Sequence, residues 1–256
     1  MSAFLESFVG IGFFAFFIAA SVVGVRLVLL WRRTRELPEL LIGLGVLGIG
    51  PVGFGFITVG DLCVAGFPGL ARAFIATGLV AMSVGSGAKY VFNWRVYHPR
   101  SGVLQAFVLV ACALLGLCLV WEFEATGFRT LVKPGPSYFL RISLQVACLL
   151  WGSSEALHYW DRMRRRLRLG LADPVVANRF LLWGIGAGAA GLGSAVGGFM
   201  QWWTQLSPIE MPWVLLSSSL HGLAAAVAMW LAFVPNAAYT RMIRARAASH
   251  RVTARA

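Results

Sequence analysis

The sequence predicts an all-α integral membrane protein, a bundle of seven transmembrane helices with the N-terminus outside and the C-terminus in the cytoplasm. Seven long apolar runs alternate with charged or turn-forming residues, the mean hydropathy is +0.76, and only 12% of the 256 residues are charged. A soluble domain normally carries about 25% charged residues. Crossing a hydrocarbon core of ~30 Å takes about 20 helical residues. Because lipid cannot hydrogen-bond a free backbone amide, each run is expected to cross as a helix.

The runs fill most of the chain, so we expect a single transmembrane domain over residues 1–234. A basic cytoplasmic tail over residues 235–256 follows and could form a short helix on the inner leaflet. Basic residues follow the first run rather than precede it, so we expect a retained span and not a cleaved signal peptide. The runs are Ala3–Leu30, Glu39–Gly60, Leu70–Phe92, Val103–Trp121, Phe139–Trp160, Val175–Trp203 and Pro212–Val234.

The basic residues determine the predicted orientation. With the N-terminus outside, 18 of the 22 basic residues fall on the inner side, as the distribution of Lys and Arg in membrane proteins requires. The outer side keeps Arg72, Arg129, Lys133 and Arg141. Inner arginines facing an anionic leaflet account for the high pI, so we expect no nucleic-acid partner. Twenty arginines against two lysines indicate a GC-rich bacterial genome and hence a bacterial inner membrane.

Glycine-rich second and sixth runs indicate close helix packing, because glycine lets helix backbones approach each other in lipid. Pro51 lies near the middle of the second run and predicts a kink, either a static bend or a hinge. The fourth run is almost free of polar residues and is expected to face lipid or act as a spacer. Without it, two three-helix units remain in the same orientation, the pattern of a 3+1+3 parallel duplication.

Polar residues inside the apolar runs predict a ligand site. His221 lies near the middle of the last run, and an ionisable residue at that depth is a candidate functional group. Together with Ser218, Ser86 and Ser194 it forms the predicted site for a small apolar ligand in the bundle interior. The alternative is a neutral histidine that is hydrogen-bonded within a packed interface.

Lys89 and Glu155 lie at similar estimated depths, about 8 Å and 6 Å inward of the middle of their runs. Two unpaired charges at such depths would each be costly, so the sequence predicts a Lys89–Glu155 ion pair. The alternative is that Lys89 extends towards the inner interface and Glu155 pairs with an arginine.

Neither a metal nor a cofactor is expected. Glu155 and His158 form one Glu-x-x-His pair, but a di-iron bundle needs ligands from four helices. The histidines differ in depth, which disfavours haem, and the last run holds no lysine for a retinal Schiff base. The Gly-x-Ser-x-Gly sequence of a nucleophile elbow is also missing, so enzymatic activity is not favoured. Cys63 and Cys118 could approach each other at the outer face and pair in an oxidising compartment.

These observations favour a receptor-like or sensory membrane protein that signals to a cytoplasmic partner through its Arg-rich inner loops. The alternative is a small-solute transporter of 3+1+3 design, and a third interpretation is a scaffold subunit of a membrane complex. A transporter needs polar groups along the whole path. A receptor needs them in one half of the bundle only.

Overall fold

The computed structural model describes residues 3–128, 135–206 and 210–253, with side chains from residue 7 to residue 246, and these ranges contain helices and turns but no strand. The all-helical class is therefore confirmed. Two outer basic residues of the orientation analysis, Arg129 and Lys133, lie outside the described residues. The helices are α1 (Ala3–Thr34), α2 (Leu37–Ile49), a π-helical turn (Gly50–Phe54), α3 (Gly55–Cys63), α4 (Pro68–Tyr97), α5 (Gly102–Thr126), α6 (Pro136–Arg168), α7 (Pro174–Thr204), α8 (Pro212–Phe233) and α9 (Ala237–Thr253).

Helix starts follow from local sequence. Proline occupies the first turn of α2, α4, α6, α7 and α8, where its missing N–H has no helical partner to lose. Side chains cap two further donors: Ser101 Oγ accepts from the Leu104 N–H, and Asp173 from the Val175 N–H. Gly127 ends α5 with a φ of 60°, a left-handed conformation that glycine adopts without strain.

Six helical segments are long and apolar enough to cross a membrane: α1, α2–α3, α4, α5, α7 and α8. The chain is thus a multi-pass helical protein by length and composition. The fifth predicted run falls on α6, which is 33 residues long but is not among the six. Arg141, Gln145 and Glu155 interrupt its apolar stretch and lower its hydropathy.

Six helices form a closed ring in the order α1, α2, α4, α6, α7, α8, in which each packs against its two neighbours. The ring contains α6 and not α5, so it differs from the set of six apolar segments. Helix α5 stands outside the ring and packs on α4 and α6. Large apolar side chains such as Val103, Leu109 and Leu117 remain more than half exposed on α5. The expectation that this helix faces lipid fits its position.

Contacts between helices fix their relative directions. Arg141 of α6 contacts Met82 of α4, and Asn93, eleven residues further along α4, bonds to Cys148 of α6. Helices α4 and α6 therefore run parallel. Helix α5 runs antiparallel to α6, because the Phe107 and Trp151 rings meet at one end while Glu122 and Ser137 bond at the other.

Pro51 lies in the π-helical turn that separates α2 from α3. The Gly55 N–H bonds to the Gly50 carbonyl, which is the i→i−5 pattern of a π-turn. Proline has no N–H to bond to the fourth residue before it, so the regular helix is interrupted here.

Cys63 and Cys118, which the sequence analysis considered as a pair, both carry free thiols.

Candidate functional site: Lys89 and the polar column between α4 and α6

A small cavity lies at the centre of the ring, where all six helices meet. Its volume is about 30 Å³, room for one or two water molecules. Each helix contributes to the wall: Phe16 from α1, Val46 from α2, Lys89 from α4, Leu149 from α6, Trp183 from α7 and Met229 from α8. Lys89 is the charged side chain of this wall.

Lys89 is 8% exposed and its Nζ lies 4.2 Å from the centre of the Trp183 ring. A cation over an indole face is stabilised by the ring quadrupole. Gly45 of α2 makes room for the lysine stem, since a Cβ there would come within 2.6 Å of Lys89 Cγ. Within the described part of the chain no carboxylate oxygen lies within 4.0 Å of Lys89. The ammonium group is held by an aromatic ring and not by a counter-ion.

Buried polar residues continue from this cavity along the α4–α6 interface and form what we call the polar column. Asn93 Nδ2 donates to the Cys148 carbonyl at 3.0 Å, and Ser86 lies beside the Cys148 thiol. Ser83 Oγ and Gln145 Oε1 are buried and have no hydrogen-bond partner among the described residues. The column comprises Ser83, Ser86, Lys89 and Asn93 of α4 and Arg141, Gln145 and Cys148 of α6.

Arg141 occupies one end of the polar column, the end predicted to be outer. It is 4% exposed, so it is buried between helices. Its Nη1 reaches Met82 Sδ at 3.6 Å, and its guanidinium lies 5.3 Å from the centre of the Tyr138 ring. The nearby Glu122 is engaged elsewhere, accepting from Ser137 Oγ at 2.6 Å. No described carboxylate comes within ion-pairing distance of Arg141.

The other end of the column is closed by a polar contact between α6 and the end of α4. His98 Nε2 lies 2.6 Å from Glu155 Oε1, which also accepts from Trp151 Nε1 at 3.2 Å. Beyond this point α6 carries exposed arginines. Arg165 donates to Asp161 at 3.2 Å, and this hydrogen bond lowers the pKa of the Asp161 carboxyl.

The structure does not contain the expected Lys89–Glu155 ion pair. Glu155 contacts His98, nine residues after Lys89 on the parallel helix, which corresponds to a difference in depth of ~13 Å. The estimate from run midpoints assumed that the two runs lie level with each other. Contacts such as Arg141 with Met82 show that the two runs are displaced along their helix axes.

The four residues of the predicted ligand site are not brought together around one cavity. Ser86 lies in the α4–α6 interface, Ser218 is exposed on α8, and Ser194 is half-buried on α7. His221 packs on Gly193 of α7. The His221 Nδ1 lies 2.7 Å from the Ser217 carbonyl, so this nitrogen carries the proton and donates. The alternative interpretation, a histidine hydrogen-bonded within a packed interface, describes this geometry.

The sequence analysis missed the importance of Arg141 and Gln145. Together with Ser137 they recur every four residues within one apolar run, which is the spacing of a single helix face. A polar stripe at that spacing in a membrane helix indicates a face turned towards protein rather than lipid. That signal was available from the sequence alone.

Searches of protein-family models, of curated proteins and of solved structures found no match for this chain.

Proposed function

We propose that this protein is a small-solute carrier with seven crossings, in which two three-helix units enclose the path of the solute. One unit is α1, α2–α3 and α4, the other is α6, α7 and α8, and α5 connects them. The central cavity with Lys89 in its wall carries the proposal, because both units contribute to it. Carriers commonly bind substrate where two repeats meet.

The order of the ring supports the two-unit design. A half-turn about the ring axis exchanges α1 with α6, α2 with α7 and α4 with α8. It also exchanges the two contacts between units, α4 with α6 and α8 with α1. Parallel repeats related by an axis along the membrane normal have this arrangement.

Glycine spacing supports the same relation. Gly48 packs on α4 and Gly186 on α8, while Gly50 packs on α1 and Gly188 on α6, as the half-turn requires. Three further pairs share the same sequence spacing, Gly53 with Gly191, Gly55 with Gly193 and Gly60 with Gly198. Their contacts do not follow the half-turn: the first members pack on α4, α1 and α4, and the second members on α6, α8 and α6. The support from glycine therefore rests on the first two pairs.

The proposal includes a crossing by α6 and a cytoplasmic C-terminus. Helix α6 lies alongside α5 from the Glu122–Ser137 contact to the Phe107–Trp151 contact. It therefore covers the same depth as a helix that qualifies as a span. The excess of arginine on the inner side supports the orientation, and the arginine-rich composition supports a bacterial inner membrane.

Topology reporters test these crossings. We expect fusions after Gly127 and after Gly170 to report opposite sides of the membrane, outside for the first and cytoplasmic for the second. A fusion at the C-terminus should report the cytoplasm. Each site is fused in turn to alkaline phosphatase and to green fluorescent protein. Phosphatase activity reports an outer site, and fluorescence reports a cytoplasmic one. If the fusions after Gly127 and Gly170 report the same side of the membrane, the proposed crossing by α6 is contradicted.

A receptor-like protein is the second candidate, in keeping with the exposed arginines at the inner end of α6. Arg162, Arg164 and Arg168 extend beyond Trp160 on a continuous helix and offer a surface to a cytoplasmic partner. Buried polar residues extend from Arg141 past the cavity to Asn93. Met82, beside Arg141, and Asn93 are eleven residues apart on α4, a rise of ~16 Å and about half of a ~30 Å core. The two-unit order of the ring, and not this distribution, is what favours the carrier.

Reconstitution into liposomes tests the carrier. We expect the purified protein to accelerate equilibration of at least one small solute in a panel of formate, glycerol and methylammonium. Protein-free vesicles provide the background rate, and vesicles with heat-denatured protein control for leakage. A rate equal to background for the whole panel, from protein that remains folded, would contradict the carrier and leave the receptor-like candidate.

A further inference from the structure

We infer that the polar column binds a small monovalent anion, with Arg141 as the first contact from the predicted outer side and Lys89 as the deeper one. The inference names the substrate class of the carrier proposed above and rests on that proposal for its role in transport. Three observations carry it: the balance of buried charge, the unpartnered polar groups of the column, and the size of the cavity.

The buried charges do not balance. Among the described residues, the charged side chains in the buried class are Lys89, Arg141 and Glu122, two cations and one carboxylate. A charge inside the membrane is costly unless it is compensated. One bound monovalent anion would neutralise the excess, whereas a cation would increase it.

Arg141 has unused hydrogen-bonding capacity. A guanidinium offers five N–H donors in a planar fork, and the described contacts are one to Met82 Sδ and one with the Tyr138 ring. The ionisable groups near it are Glu122, Tyr138 and Cys118, and none forms an ion pair with it. A planar, charged donor set of this kind suits a small oxyanion.

The groups between the two cations provide further contacts. Met82, beside Arg141, and Lys89 are seven residues apart on α4, a rise of ~10 Å. Ser83 Oγ has no hydrogen-bond partner among the described residues, and Ser86 follows one turn deeper. Gln145 Oε1, also unpartnered, is an acceptor and could contact only a water that accompanies the anion. Hydroxyl groups can donate to an anion or to the water that accompanies it.

The central cavity limits the size of the anion at the deeper contact, because Lys89 lines it and Arg141 does not. A volume of about 30 Å³ accepts a species comparable to one or two water molecules, such as chloride or formate. Drug-sized apolar ligands need pockets of roughly 300 Å³ or more. The size of the cavity therefore excludes a drug-sized ligand, and Lys89 is the charged group available to a small ion there.

Thermal unfolding of the purified full-length protein tests the binding site directly. We expect sodium formate to raise the unfolding midpoint above that in sodium gluconate at equal ionic strength, because gluconate is too large to enter. Arg141→Gln should weaken the formate effect, raising the apparent Kd at least about tenfold, since it removes a charge-assisted contact. Arg72→Gln, a change at an exposed arginine on α4, is the matched control and should retain the effect.

Equal midpoints of the wild type in formate and gluconate would overturn the inference, as would an unchanged formate effect in Arg141→Gln. If Arg141→Gln does not fold, Arg141→Lys replaces it, because the charge is kept and the planar fork is lost. Weaker formate stabilisation in Arg141→Lys supports the site, and unchanged stabilisation overturns it.

Flux separates this inference from the carrier proposal. Vesicles that equilibrate formate support both, and Arg141→Gln should then slow formate entry. Vesicles that equilibrate glycerol or methylammonium but not formate overturn the anion site and leave the carrier. If formate stabilises the protein but no member of the panel is transported, the anion-binding site is supported and the carrier proposal is overturned.

Discussion

Replacing Lys89 by methionine should stabilise the folded protein and abolish solute flux. A lysine at the centre of a transmembrane helix costs about 2.5–3.5 kcal/mol on insertion scales, an upper bound for Lys89, which is estimated to lie about 8 Å inward of the middle of its run. The contact with the Trp183 ring stabilises the lysine ammonium by about 0.5–2 kcal/mol. Since methionine has a similar length and no charge, the free energy of unfolding should rise by about 0.5–3 kcal/mol, the difference between these terms. Denaturant unfolding in micelles measures the change, and proteoliposome flux measures the loss of activity.

The control for Lys89→Met is Leu79→Met, at a buried position three helical turns earlier on α4. A volume-conserving apolar change costs less than about 1.5 kcal/mol and should leave flux intact. A double-mutant cycle with Trp183→Leu isolates the lysine–indole contact. A less stable Lys89→Met protein would show that the lysine serves packing, and the charge argument for the cavity would then fail.

Apolar length and composition predicted where the helices lie. All seven runs fall on helices, because lipid-sized apolar stretches have no other way to satisfy their backbones. Their ends were less predictable. Helix α6 continues eight residues beyond Trp160, to Arg168. Arginine and leucine are good helix formers, so the helix continues although the apolar stretch ends at Trp160.

The site was less predictable than the fold, because it depends on rotation and displacement of helices. Charge counting used Arg141 only to assign a side of the membrane, since it lies near the start of a run, and its burial was not predicted. Burial of that arginine requires partners from α4 and α5, which a single run does not reveal. Lys89 was singled out from the sequence and is buried in a helix long and apolar enough to cross a membrane. Its neighbour is the Trp183 ring, a contact without a charge pattern in the sequence.

The glycines were recognised as packing residues, and the structure separates those in contact from those facing open space. A Cβ added to Gly48 would lie 2.5 Å from the Ala81 carbonyl oxygen and 2.9 Å from Gly85 Cα. Both neighbours are backbone atoms, which cannot rotate away. Gly116 on α5 is also helical, but nothing lies within 4 Å of its added Cβ. The two positions form a matched pair for testing the α2–α4 contact.

Gly48→Ala should lower the free energy of unfolding by about 1–3 kcal/mol, the usual cost of overpacking a filled interface. Gly116→Ala should leave stability unchanged or raise it, because alanine is the better helix former by about 1 kcal/mol. Unfolding of both variants in the same micelles, measured by circular dichroism, gives the comparison. Since Gly48 lies between Gly45, beside Lys89, and the cavity-lining Ile49, displacement of α2 should also reduce flux. Equal stability of the two variants would mean that α2 and α4 do not approach this closely. The contribution of α2 to the wall of the central cavity would then be wrong.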